Sequence, residues 1–171
     1  MARLSNDIAA WDGKALPPIE GMYARHHASP RFLADTIALF GDQTCDRGAT
    51  WLVKRHIENG HAVSAALTRK IVAQLKRLDH WEAKLHVLQI LPSLPVAAKD
   101  AEEVAAWVRG CLTDDATFVR AWAYNGLHAL AAQHSAYQAE ARTTLPAALR
   151  QDQPASVKVR IRKALEAGFE G

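Results

Sequence analysis

Apolar side chains recur along this chain at helical spacing, and the recurrence is itself repeated. Val119, Trp122, Ala123, Gly126, Leu127 and Leu130 fall at i, i+3, i+4, i+7, i+8 and i+11, which is one face of a helix. The same phase selects Ala83, His86, Val87, Ile90, Leu91 and Leu94 in an earlier segment. Val63, Leu67, Ile71 and Leu75 form another stripe, as do Val104, Trp107, Val108 and Leu112. Residues 49–57, 83–91, 119–127 and 157–165 superimpose on one pattern, with successive offsets of 34, 36 and 38 residues. Each has a small or branched apolar residue first, Val, Ala or Ile fifth, and Leu or Ile ninth. A period of this size predicts stacked helical units and an all-α fold.

From Pro30 onward the pattern predicts helices in pairs. The first helix of each pair covers about 30–40, 62–78, 99–113 and 136–150, and the second about 44–58, 80–94, 116–132 and 155–168. Gly41-Asp42, Asn59-Gly60, Pro92 to Pro95, Thr113 to Asp115 and Gln151 to Pro154 supply the turns between them. The repeats then fall at 31–60, 61–95, 98–132 and 136–169, inside a repeat domain of residues 31–171. Residues 1–30 do not fit the pattern and are expected to form an arm. Leu4, Ile8 and Trp11 would make a short amphipathic helix that Gly13 and Pro17-Pro18 stop, with Glu20 to Pro30 as loop. Such an arm would cap the open end of the stack, because terminal units of a repeat array must cover an otherwise exposed apolar face.

Composition adds less than pattern. Hydrophobic residues make up 49% of the chain and charged residues 23%, which excludes a disordered polymer. The net charge of +3 is unevenly spread. Residues 1–50 sum to −1, 51–84 to +4, 85–153 to −2 and 154–171 to +2. Two basic zones are weaker than a dedicated nucleic-acid binder would carry. Cys45 and Cys111 have no C-x-x-C partner and do not suggest a disulfide scaffold. With no apolar leader in the first thirty residues and no long apolar run, the expectation is a cytoplasmic protein without a membrane span.

The segments from residue 31 to residue 168 resemble HEAT repeats, helical hairpins whose second helix carries V-R/K-x-x-A/V-x-x-x-L. That family also places Asp in the turn and a basic residue early in the second helix. Here Asp79 precedes Lys84 by five residues and Asp115 precedes Arg120 by five. The fourth repeat departs, with Gln153 before Lys158, and so does the first, with Cys45 before Thr50 and Asp46 adjacent. The resemblance implies a right-handed α-solenoid of about four hairpins whose second helices line the concave face.

On that implied face, two columns of equivalent positions run through the repeats. One is Lys54, Leu88, Tyr124 and Arg162; its neighbour is Arg55, Gln89, Asn125 and Lys163. Lys84, Arg120 and Lys158 form a third, for which a ladder of Asp–Arg ties between repeats is favoured over a binding ridge. The expected binding surface is Lys54, Arg55, Lys84, Arg120, Tyr124, Asn125, Arg162 and Lys163, with Tyr124 at its centre. Trp107 and Trp122 sit on apolar stripes and read as core, and Trp51 as packed between repeats.

No chemistry competes with a binding role. The eight histidines include no H-x-x-x-H pair, and His86, on an apolar phase, reads as a hydrogen-bonded core residue. No nucleophile elbow or phosphate loop occurs, so catalytic residues, cofactors and metals are not expected. The expected function is a non-enzymatic scaffold for a protein or peptide partner. The alternative is nucleic-acid binding through Arg69, Lys70, Lys76, Arg77, Lys54 and Arg55. In that case the chain is similar in architecture alone to HEAT-like alkylpurine DNA glycosylases. A monomer and a homodimer both stay open, the homodimer if Val159, Ile161 and Phe169 are left uncovered.

Overall fold

The computed structural model describes residues 2–151 and 154–169, apart from the side chain of Ala2. Among these residues there are ten α-helices, four short 3-10 helices and no strand. The α-helices are α1 (Ala2–Ala9), α2 (Leu16–His26), α3 (Phe32–Ile37), α4 (Asp46–Glu58), α5 (Ala65–Val72), α6 (Trp81–Ile90), α7 (Ala101–Cys111), α8 (Thr117–Gln133), α9 (Gln138–Arg150) and α10 (Ala155–Ala167). Among the described residues, no helix is long and apolar enough to cross a membrane. The all-α expectation holds. Gln153, on which one expected turn rested, lies outside the described residues.

One expectation fails near the amino end. Glu20 to His26 is helix, not loop, and Pro17-Pro18 begins α2 instead of ending a helix. Proline lacks an N–H and fixes φ near the helical value, so at the first helical positions it removes nothing that the helix needs. Asn59-Gly60 ends a helix as expected. Ser64 accepts the Leu67 backbone N–H at 3.3 Å and caps α5. Gly60 follows α4 at φ 85°, a conformation that a side chain would resist.

The chain divides into two compact units, Met1–Pro95 and Val96–Gly171. In the first, α1 and α2 pack on each other and on α4, α3 packs on α4 and α5, and α4 lies against α6. Residues 1–30 therefore share a unit with α3 and α4. Ile8, Ile19, Ile37, Phe40, Leu52, Val53, Ile71 and Leu88 fill its core. Gly48, inside α4, lets α1 approach: a Cβ there would stand 2.7 Å from Ile8 Cγ2.

In the second unit, α8 is surrounded by α7, α9 and α10. Val104, Val108, Val119, Leu127, Leu130, Leu145 and Ile161 are buried at their meeting. Polar ties join the helices within each unit. Thr50 Oγ1 lies 3.0 Å from His86 Nδ1, a separation of 36 residues in sequence. Tyr23 and His56 are 33 apart, Val96 and Gln133 37, and His128 and Gly168 40.

Arg109 is the strongest surface tie of the second unit. Its Nε and Nη2 donate to the two oxygens of Glu140 at 2.8 Å, and its Nη1 donates to Glu102 at 2.9 Å. Tyr137 also donates to Glu102. A forked guanidinium–carboxylate contact fixes the start of α9 against α7. Arg109 keeps 39% of its side chain exposed, so water weakens the pairing. Arg109→Leu is expected to cost about 1 kcal/mol in urea unfolding. An unchanged midpoint would mean that the network is ornamental.

Candidate functional site

The repeat columns single out eight residues as an expected exposed face. Tyr124 is not on it. It is 7% exposed, enclosed with Ala121, Ala123 and Leu127, and burial raises its phenol pKa. The physical reason is that three helices surround α8, so its buried sector is wider than the single apolar stripe predicts and takes in position 124. Tyr124 is core, and the expectation that it anchors a partner is corrected.

Three of the expected cations are engaged within their own unit. Arg120 donates from Nη1 to the backbone carbonyls of Asp114 at 2.6 Å and Asp115 at 2.9 Å, and from Nη2 to Thr117 Oγ1 at 3.2 Å. It clamps the turn that leads into its own helix. The acceptors are main-chain carbonyls, whereas a ladder between repeats would use carboxylates. Lys54 pairs with Glu58 at 2.6 Å, and Arg55 reaches Glu20 of α2 at 3.7 Å. Lys84 and Asn125 are half-buried. Arg162 and Lys163 alone among the eight expected residues are exposed.

A different set forms the outward face of the second unit. Phe118, Trp122 and Asn125 lie at i, i+4 and i+7 along α8, so they share one side of it. Ser156, Arg160 and Lys163 share one side of α10 by the same spacing. The two sides meet, because the Arg160 guanidinium sits 3.7 Å above the centre of the Trp122 ring. Phe118 is 57% exposed and Val159, on the outer side of α10, is 47% exposed. Partial burial lowers the pKa of Arg160 while the ring face attracts its charge. Trp122 is thus the floor of a surface patch and is not fully core.

The repeat alignment carried a signal for this patch. Trp122 and Arg160 occupy equivalent positions 38 residues apart, so an aromatic ring in one repeat and a cation in the next stand side by side. The sequence expectation for the carboxyl end is also revised. Ile161 is buried, and Phe169 is half-buried between His128 and Arg142, with ring or guanidinium 5.0 Å away on each side. Only Val159 of that trio is exposed.

The first unit uses its polar residues mainly to join helices. Arg47 pairs with Glu82 between α4 and α6, and its guanidinium lies 5.5 Å from the Trp11 ring. Asp46 is buried, and burial raises its pKa against the opposing pull of the Arg47 and His80 backbone N–H groups. His86 is held well below the ordinary histidine range, at about 3, by burial and then by the charges of Lys54, Arg47 and His80. This is the hydrogen-bonded packing role that its apolar phase suggests. Among the described residues no group of three or more His, Cys, Asp or Glu side chains could hold a metal ion.

Comparison with protein-family models, with curated proteins and with solved structures returns no match to this chain.

Proposed function

We propose that this chain is a HEAT-like helical-repeat scaffold, its hairpins forming one solenoid series, which binds a protein or peptide partner through the α8–α10 face. The observation that supports this is the exposed Phe118 and Val159 beside a Trp122 ring covered by Arg160. Aromatic and arginine side chains dominate the energetics of protein interfaces, because they bury large area with little loss of rotamer freedom. Arg162 and Lys163 on α10 add positive charge around the apolar centre. The partner chemistry that fits is an apolar anchor flanked by carboxylates. The reading assigns the chain no catalytic step.

The test is fluorescence anisotropy with a labelled peptide carrying aromatic residues among glutamates. Phe118→Ser combined with Lys163→Glu is expected to weaken binding at least tenfold, about 1.4 kcal/mol, with Tm unchanged. Equal binding by the double variant would overturn the assignment. A labelled DNA duplex is titrated in parallel at rising salt. Arg69, Lys70, Lys76 and Arg77 are all exposed in the first unit and are the residues of the nucleic-acid alternative. Tight duplex binding that persists at physiological salt would favour that alternative over the peptide.

A further inference from the structure

A second, unrelated feature lies wholly within the first unit. A cleft of about 320 Å³ opens where α2, α3, α4 and α5 converge, lined by His27, Pro30, Phe32, Leu33, His56 and Leu67 among others. Its size and its mostly apolar wall, broken by a few polar groups, are those of a small-molecule site.

Tyr23 contacts both imidazoles. The Tyr23 backbone carbonyl accepts from His27 Nδ1 at 2.9 Å, so that nitrogen carries a hydrogen. The Tyr23 hydroxyl lies 3.2 Å from His56 Nδ1. His56 is buried, and burial lowers its pKa, so its ring favours the neutral form. With Nδ1 committed to the Tyr23 carbonyl, the His27 ring nitrogen left for a visitor is Nε2, where a second ring proton would enter. Packing locks both rings. Tyr23 stacks on His27 at 4.8 Å, Phe32 contacts both Tyr23 and His56, and His61 stacks on His56 at 4.3 Å.

We propose that this cleft binds a small monocarboxylic acid with an apolar tail, the carboxyl group meeting the imidazoles of His27 and His56 and the tail lying along Phe32, Leu33 and Leu67. A carboxylate placed beside an imidazole favours the protonated ring. An acid that is ionised in solution therefore binds with uptake of one proton, held between its oxygen and His27 Nε2. The charges acting on His56 are those of His61 and His27. Of the neighbouring elements, α3 carries Asp35, paired with Arg31 at 3.5 Å, and α5 carries Arg69 and Lys70, both exposed.

The probe is octanoate, with octylamine as control, added to the full chain at neutral pH. Imidazole NMR shifts report the site, and calorimetry in two buffers of different ionisation enthalpy counts protons. Octanoate is expected to shift the His27 and His56 resonances saturably with uptake of one proton. Leu67→Trp, which fills the cleft and leaves both histidines in place, is expected to weaken binding at least tenfold. His56→Leu should do the same, and Phe118→Ser should leave binding unchanged. The proposal is overturned by unshifted resonances at about 10 mM octanoate, a concentration that would reveal even millimolar affinity. It is equally overturned by equal affinity for octylamine, or by undiminished binding in the folded Leu67→Trp variant.

Discussion

Gly48→Val is expected to lower the free energy of unfolding by about 3 kcal/mol, the upper end of the usual cost of overpacking a core. The new Cβ would stand 2.7 Å from Ile8 Cγ2 and 3.4 Å from the Trp11 ring. Ile8 is fully buried, and its methyl branch cannot swing aside as the tip of a lysine could. The second branch of valine worsens the overlap and adds the χ1 restriction that β-branched residues suffer in helices. The strain falls between α1 and α4, so α1 should detach before the rest of the unit. Urea unfolding gives the loss, and limited proteolysis should show new cleavage in the first fifteen residues. Gly110→Ala is the control. Gly110 lies in α7, exposed, with nothing within 4 Å of an added Cβ. There the better helix former should stabilise by roughly 0.5–1 kcal/mol. If both variants behave alike, the close approach at Gly48 does not matter.

The second large effect is acid sensitivity. His86 has a folded pKa of about 3 against an ordinary value of 6.5, so the unfolded chain binds a proton that the folded chain refuses. Stability is then full above 6.5 and falls as pH drops through the interval between the two values. Each pH unit in that interval is worth at most about 1.4 kcal/mol. His86 keeps part of its surface exposed, so a loss of about 2 kcal/mol between pH 6.5 and 4.5 is expected. His56, lowered by burial, contributes with the same sign. The carboxylates held below their usual values, among them Asp7, Asp42 and Glu140, begin to lose their contribution only in stronger acid. Asp46, raised by burial, acts with the opposite sign as pH falls, so the comparison with a His86 variant is what isolates the histidine. Measured by thermal melts across this interval, His86→Gln should flatten the slope by more than half. An unchanged slope would place the acid sensitivity elsewhere.

Most of the helices were legible because amphipathic spacing is a local property. The second helix of the third pair was expected at 116–132 and is found at 117–133; that of the fourth was expected at 155–168 and is found at 155–167. Proline was the exception. Pro17-Pro18 means opposite things at the two ends of a helix, and only the helix that follows decides which. The surface was less legible for a different reason. An alignment of repeats shows which positions are equivalent but not how wide the buried sector is at each. With three neighbours, α8 buries Ala121 and Tyr124 on one flank and leaves Trp122 at the rim on the other. The same aliphatic stripe on a helix with one neighbour would have left Tyr124 outside. Lys54 stood out as an unpaired cation in sequence although its partner is a carboxylate one helical turn away, and Arg120 was expected to tie repeats together whereas its partners are its own turn's carbonyls.

The tertiary hydrogen bonds described above join residues 33, 36, 37 and 40 positions apart, about one repeat in each case. Bringing such positions together closes loops of nearly constant and modest size. Closure entropy grows only with the logarithm of loop length, so no one of these contacts is much harder to form than the next. A topology in which contacts reach mainly to the adjacent hairpin has low contact order and a correspondingly low kinetic barrier. Within each unit, a helix made later can dock on one already formed, a growth mode suited to a chain that emerges from its amino end and folds while the remainder is still being made.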